Sequence, residues 1–183
     1  METPITYKTT HEFRHTEKGN VKLTKLLNCK RQGQIKLNDN ILIEDNVILR
    51  GDLGQINLGR DTILGENVII HPSLNSCVQP FEYKSIGIGS SCFIGKNSII
   101  SSLKIGNYVY IGENCILSDR TIVEDNVKVL DNTYVPTDMK LINNGIYGGY
   151  PAKLLGTLND QNIKYMEFFV NDYFEKWVIT KSK

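Results

Sequence analysis

The chain has 183 residues, 40% of them apolar and 22% charged. That is long enough for one domain with a full core and too apolar for a disordered chain. Twenty-one Lys and Arg against 20 Asp and Glu leave a formal net charge of +1, which excludes the broad basic field of a nucleic-acid binder. No apolar run approaches about 18 residues, so no membrane-spanning helix is expected.

The opening, Met1-Glu2-Thr3-Pro4-Ile5-Thr6-Tyr7-Lys8, holds no apolar stretch of the signal-peptide kind, which points to the cytosol. Residues 1–34 read as a polar flanking segment with His11, His15 and seven Lys or Arg from Lys8 through Arg31. Tyr7 and the Leu23 to Leu27 cluster are expected to tie it to the body; its charges read as a solvated flank. The four cysteines, Cys29, Cys77, Cys92 and Cys115, form no C-x-x-C pair. A zinc ribbon or thioredoxin-type site is therefore unsupported, and the thiols are expected to be free and partly buried.

From residue 35 to 144 a period of six governs the chain. Leu37, Ile43 and Leu49 set it; after a phase slip of three it continues at Leu58, Leu64 and Ile70. It returns at Ile88, Ile94 and Ile100, loses one residue, and runs from Ile105 through Ile111, Leu117, Val123, Val129, Val135 and Leu141. The next position is often Gly, as at 59, 65, 89, 95, 106 and 112, and Asn follows two later at 46, 67, 97, 114, 126 and 132. Gly and Asn tolerate unusual turn dihedrals most cheaply. The fourth position after the aliphatic is small or β-branched, from Val47 to Thr133. A period of six fits neither a helix nor a plain strand; it fits a short strand and a turn with one large residue inward per unit. Three units close a triangular coil of about 18 residues, and stacked coils bury a common ladder. The interval from Leu37 to Leu141 holds roughly six coils. A β-sandwich would show irregular strand spacing instead.

Ile70 and Ile88 keep the coil phase, yet residues 72–85 lack the hexad. They hold Pro72, Pro80, Phe81 and Tyr83 and read as a loop that leaves the coil and rejoins it. Phe81 and Tyr83 are the candidate partner contacts, being aromatics off the repeat. Residues 145–183 read as a Gly-rich connector and a helix. Thr157, with Asp160 three later, is expected to cap it. Ile163, Met166, Val170, Tyr173, Phe174 and Trp177 form one helical face opposite Lys164, Asp172, Glu175 and Lys176. The helix is expected along a flat face of the coil, covering a seam; a helix that binds a partner is the other reading.

The hexad resembles the hexapeptide repeat of left-handed parallel β-helix proteins. That resemblance implies the left hand, where the usual crossover rule favours the right. The expected fold is thus all-β, a left-handed parallel β-helix with a C-terminal α-helix packed along it. Two enzyme classes share it. Leu49-Arg50-Gly51-Asp52, Leu58-Gly59 and His71 resemble the opening of γ-class carbonic anhydrases, whose three histidines bind a metal with an open fourth position. His71 matches the first histidine, but Lys96 and Ser101 stand at the next two, and the family's glutamine falls on Gly65. Metal binding is therefore not expected. Arg50 and Asp52 match residues that join subunits and hold the coil corner, a structural role that needs no metal. Hexapeptide acyltransferases need a histidine base in a groove between subunits; His71 is the only histidine in the repeat, and no groove is identifiable.

The resemblance that covers most of the chain is to the dynactin subunit 5 family, one of two β-helix families in that complex's pointed end. It is carried by Gly19-Asn20-Val21, Leu27-Asn28-Cys29, Gln34-Ile35-Lys36-Leu37-Asn38, Leu49-Arg50-Gly51-Asp52-Leu53, and the excursion between Ile70 and Ile88-Gly89. Val129-Leu130-Asp131-Asn132-Thr133-Tyr134-Val135-Pro136 and the aromatic final helix add to it. His71 departs from it, since an Arg is usual there in vertebrate-like members. The resemblance implies no catalysis, no cofactor and no metal. It implies a scaffold role beside dynactin subunit 6, an actin-related protein and a zinc-binding subunit, with cargo adaptors as further partners. It also implies a place in the cytoplasm, on the cytoskeleton, in dynein-driven microtubule transport. A hexapeptide acyltransferase or a degenerate carbonic-anhydrase-like homotrimer are the competing expectations.

Overall fold

The computed structural model describes residues 22–23, 30–76 and 82–181. In it the hexads wind a left-handed parallel β-helix of about 6 turns. Most rungs contribute a two-residue strand to each of three faces. On the first face Ile43, Leu64, Ile94, Ile111, Val129 and Tyr147 stack in register. Leu49, Ile70, Ile100, Leu117 and Val135 stack on the second. Leu37, Leu58, Ile88, Ile105, Val123 and Leu141 stack on the third. All are buried except the partly buried Leu37. Each fully buried Ile or Leu contributes roughly 1.5–3 kcal/mol over an exposed one, and each is buried only because another rung lies above or below.

The corners follow from the same chemistry. Thirteen non-glycine residues, eight of them Asn, have φ between 53° and 64°. Each stands three residues after a ladder residue, where the chain must turn through the left-handed region that Asn tolerates best. One column of these side chains bonds to itself: Asn46 donates to Asn67 at 3.1 Å, Asn67 to Asn97 at 2.9 Å and Asn97 to Asn114 at 3.3 Å. The fourth slot points inward at the corner, and its polar members bond carbonyls rather than go unpaired. Thr62 Oγ1 donates to Gly89 O at 3.1 Å, Cys92 Sγ to Gly106 O at 3.1 Å and Ser98 Oγ to Gly112 O at 3.0 Å. Cys92 and Cys115 are free and buried; Cys29 and Cys77 lie outside the described residues.

Gly145–Gly148 adds to the first face beside Lys128–Val129, and Lys153–Thr157 folds back on it antiparallel. So residues 145–157 are themselves largely strand. Thr157 ends that strand and does not cap the helix α1 (Asp160–Lys181). The cap is Asn159: Asn162 N donates to Asn159 Oδ1 at 2.9 Å, while Asn159 N donates to Asn162 Oδ1 at 3.3 Å. Asn159 precedes the first helical turn directly, so its side chain reaches the free amides there and the Thr157 side chain does not.

At 22 residues, α1 is roughly 33 Å long, against about 24 Å for six stacked rungs, so it runs the height of the prism along the first face. Met166 and Val170 are buried, and Phe169, Tyr173 and Phe174 are partly buried against Leu42, Ile63, Phe93 and Tyr110. These four point outward one residue before the ladder. Phe93 stacks on Tyr110 at 5.0 Å and meets Phe169 edge-on at 5.2 Å. Phe169, absent from the predicted stripe, sits at its centre; the Trp177 side chain lies outside what is described. Lys164, Glu175 and Lys176 are exposed as expected. Among the described residues no helix is long and apolar enough to cross a membrane.

Candidate functional site on the irregular edge

Every break in the period falls on one edge of the prism, where the second face turns into the third. In the first rung the strand Ile48–Leu58 rounds this edge without a turn. In the second the chain leaves as an antiparallel hairpin, Ser73–Ser76 with Glu82–Lys84. In the third the corner is one residue short, between Ile100 and Ile105. Only in the fourth and fifth do Arg120 and Asp138 restore the left-handed corner residue.

The hairpin explains the short corner. Its base lies across the third rung and is fastened to the fourth. Leu74 N donates to Asp119 Oδ1 at 3.0 Å and Arg120 N to Ser73 Oγ at 2.7 Å. Arg120 Nη1 donates to Leu74 O at 3.3 Å, while its Nε and Nη2 grip Asp138 at 2.6 and 2.9 Å. Ser101 and Ser102 of the third corner are buried, and Ser102 shares a 2.7 Å hydrogen bond with Thr121. The Arg120 hydrogen bonds hold the Asp138 carboxyl below the ordinary range.

Arg50 and Asp52 meet at the first corner in a bidentate pair, both contacts 2.9 Å. The hydrogen bond lowers the Asp52 pKa and raises that of Arg50. The side chains are 43% and 23% exposed, so the pair is a partly solvated clamp and its energy is modest. Tyr83 is 37% exposed on the returning hairpin strand. Phe81 lies outside the described residues.

His71 sits where this edge is most altered. Its Nδ1 is 3.2 Å from Pro72 O and its Nε2 is 2.7 Å from Ser101 Oγ. The carbonyl can only accept, so Nδ1 carries the hydrogen and Nε2 accepts from the hydroxyl. Two of the three positions resembling the metal-binding histidines thus touch, as one imidazole and one hydroxyl bonded to it. Lys96 occupies another edge, 3.5 Å from Glu113. Such a donor set does not fit zinc, and among the described residues no three His, Cys, Asp or Glu gather as ligands. The Ser101–His71 contact has the geometry of a nucleophile and base, but Ser101 is 6% exposed and shut in against the ring.

The described cleft lies elsewhere, between α1 and the edge joining the first and second faces. It holds about 360 Å³ and is lined by Glu44, Glu66, Lys96, Glu113 and the rings of Phe93 and Tyr110, among others. The hexad count missed it because its walls are corner residues and outward rows, which the ladder leaves unspecified.

Comparison with known proteins narrows the reading. The profile of the dynactin subunit 5 family matches residues 1–182. The chain is 35% identical over 71 residues to dynactin subunit 5 of Dictyostelium discoideum, 39% of this chain and 36% of that protein. It is 24% identical over 144 residues to mitochondrial gamma carbonic anhydrase 2 of Arabidopsis thaliana, 77% of this chain and 50% of that one. The matches thus span about half or less of these relatives. A hexapeptide transferase family protein from Anaplasma phagocytophilum superimposes with a TM-score of 0.62 at 19% identity, covering 84% of this chain and 92% of that one. At that identity the likeness concerns the fold.

Proposed function

The chain belongs to the dynactin subunit 5 family, and from that premise we propose that it is a non-catalytic scaffold subunit of dynactin's pointed-end complex. In this reading it contributes to adaptor and cargo attachment for dynein-driven transport on microtubules, in the cytoplasm and on the cytoskeleton. Its neighbours are dynactin subunit 6, the actin-related protein and the zinc-binding subunit. The observation that carries the reading is the family match over residues 1–182.

The physical chemistry supports it. A prism held by a continuous ladder is rigid, and flat faces suit protein contact better than small-molecule capture. The imidazole that resembles an ancestral ligand is committed to Ser101. Arg50 and Asp52 serve as a corner clamp, and Tyr83 on the hairpin, together with Phe81, serves as a partner contact. Coexpression with dynactin subunit 6 from the same source tests the reading. A stable heteromeric pair with no stoichiometric zinc and no retained coenzyme A is expected; a homotrimer carrying either would overturn it.

A further inference from the structure

We propose that the second face, with the acidic cleft on its edge, seats a different chain: a β-solenoid that brings a flat apolar strand face and a basic rim. This rests on the pairing just proposed and says where it occurs. From the first rung on, the residues pointing outward from the second face are Ile48, Ile69, Ile99, Ile116 and Tyr134, aligned strand by strand; Lys30 lies in register before Ile48, and Tyr134 at the other end stacks on Tyr150 at 4.8 Å. Ile48 through Tyr134 form one apolar row at about 4.8 Å per step. Strand propensity alone does not explain it, because the equivalent row on the third face reads Lys36, Asn57, Gly87, Lys104, Ile122 and Lys140. The first face has an apolar row as well, but α1 covers it. The buried apolar side chain Val170 of α1 packs with the first-face row, as do Phe169, Tyr173 and Phe174, and on the second row Ile116 is 38% exposed.

The rim says what kind of occupant fits. The edge between the first and second faces carries Glu44, Asp45, Glu66, Glu113 and Asp131 against Lys96, which is itself 3.5 Å from Glu113. A partner's Arg or Lys entering the 360 Å³ cleft would meet carboxylates. The two arginines on a second copy's own second-face rim are already paired and would not supply that cation. On the opposite edge Arg50 is gripped by Asp52 and Arg120 by Asp138. The apolar face alone is on the order of 400 Å² a side, about half a standard interface, and an occupant that also reached the adjoining cleft would enlarge that area.

The test uses the full chain coexpressed with dynactin subunit 6, its pairing measured for wild type and surface variants, each checked by thermal melting. Ile99→Arg and the milder Ile116→Ser probe the second face, Glu66→Lys with Glu113→Lys the rim, and Ile122→Arg the third face. We expect Ile99→Arg to weaken pairing at least about a hundredfold, Ile116→Ser and the rim pair to weaken it about tenfold, and Ile122→Arg to leave it unchanged. Wild-type pairing that survives Ile99→Arg overturns the surface and spares the pairing. Absence of wild-type pairing overturns both. A homo-oligomer that Ile99→Arg dissolves would make the occupant a second copy. A lower melting temperature for isolated Ile99→Arg with pairing intact would make it this chain's own residues 1–29. Either result overturns the proposal.

Discussion

Tyr173 donates its hydroxyl to Glu44 Oε1 at 2.6 Å, across 129 residues of chain. The contact ties the second half of α1 to the first rung, and Glu44 Oε2 also accepts from Glu66 N at 3.1 Å. Burial, then the Glu44 hydrogen bond, raise the Tyr173 pKa well above its ordinary value. The protonated phenol is thus the form the fold favours. Its contribution is full below about pH 10, the unfolded value, and is lost as pH rises through the folded pKa. Tyr173→Phe should cost about 1–2 kcal/mol at neutral pH and flatten the alkaline fall in stability. Denaturant melts at pH 7 to 11 check this; an unchanged alkaline slope would count against the contact.

Two glycines of one rung should respond oppositely to alanine. A Cβ on Gly89 would land on the carbonyl of Gly106 in the next rung, whereas one on Gly87 meets nothing within 4 Å. Gly89→Ala should cost more than about 2 kcal/mol through forced separation of rungs. Gly87→Ala should be neutral or stabilising by about 0.5 kcal/mol, since it restricts the unfolded chain. Equilibrium unfolding of the two variants decides the matter, and equal costs would mean the stacking distance is wrong.

The hairpin depends on Arg120, which holds Leu74 O and Asp138 together. Arg120→Gln should let the Asp138 pKa return upward, because the hydrogen bond that lowers it is removed. In the native protein the Asp138 contribution is present above about pH 4 and lost as pH falls through the folded pKa. The same variant should speed amide exchange at residues 73–76 while leaving the first face protected. Carboxyl-detected NMR and hydrogen exchange read the two effects separately.

Thiol chemistry reports on the core. Burial pushes Cys92 up to about 12 and raises Cys115 as well, so neither supplies thiolate at neutral pH. In a Cys29→Ser, Cys77→Ser background, a disulfide reagent at pH 8 should label no thiol in the native chain and two after denaturation. Rapid native labelling would mean the rungs open locally.

The ladder was legible because each hexad repeats one local requirement: a buried aliphatic, a residue able to turn left-handed and a small inward residue. Ile43 through Leu141 stack as that rule implies, as do the slots from Val47 to Thr133. The helix stripe was legible too, but Phe169 was not. Its importance comes from Phe93 and Tyr110, whose outward direction follows only from the phase of the rung. His71 and Ser101 were each visible as departures from a metal-binding pattern, yet nothing local says that they touch.

By itself the sequence determined the period, the buried column and the left-handed corners, because those depend on neighbours within one or two turns. The tertiary structure decided which corners meet. Successive rungs differ by 21, 30, 17 and 18 residues along the corner columns. Those lengths bring Ser73 to Arg120, leave Lys96 on another edge from His71, and let α1 cover the apolar row of the first face. The reason is cumulative: a local rule fixes each turn's shape, but contacts between turns depend on every residue wound in between and on where the final helix comes to rest.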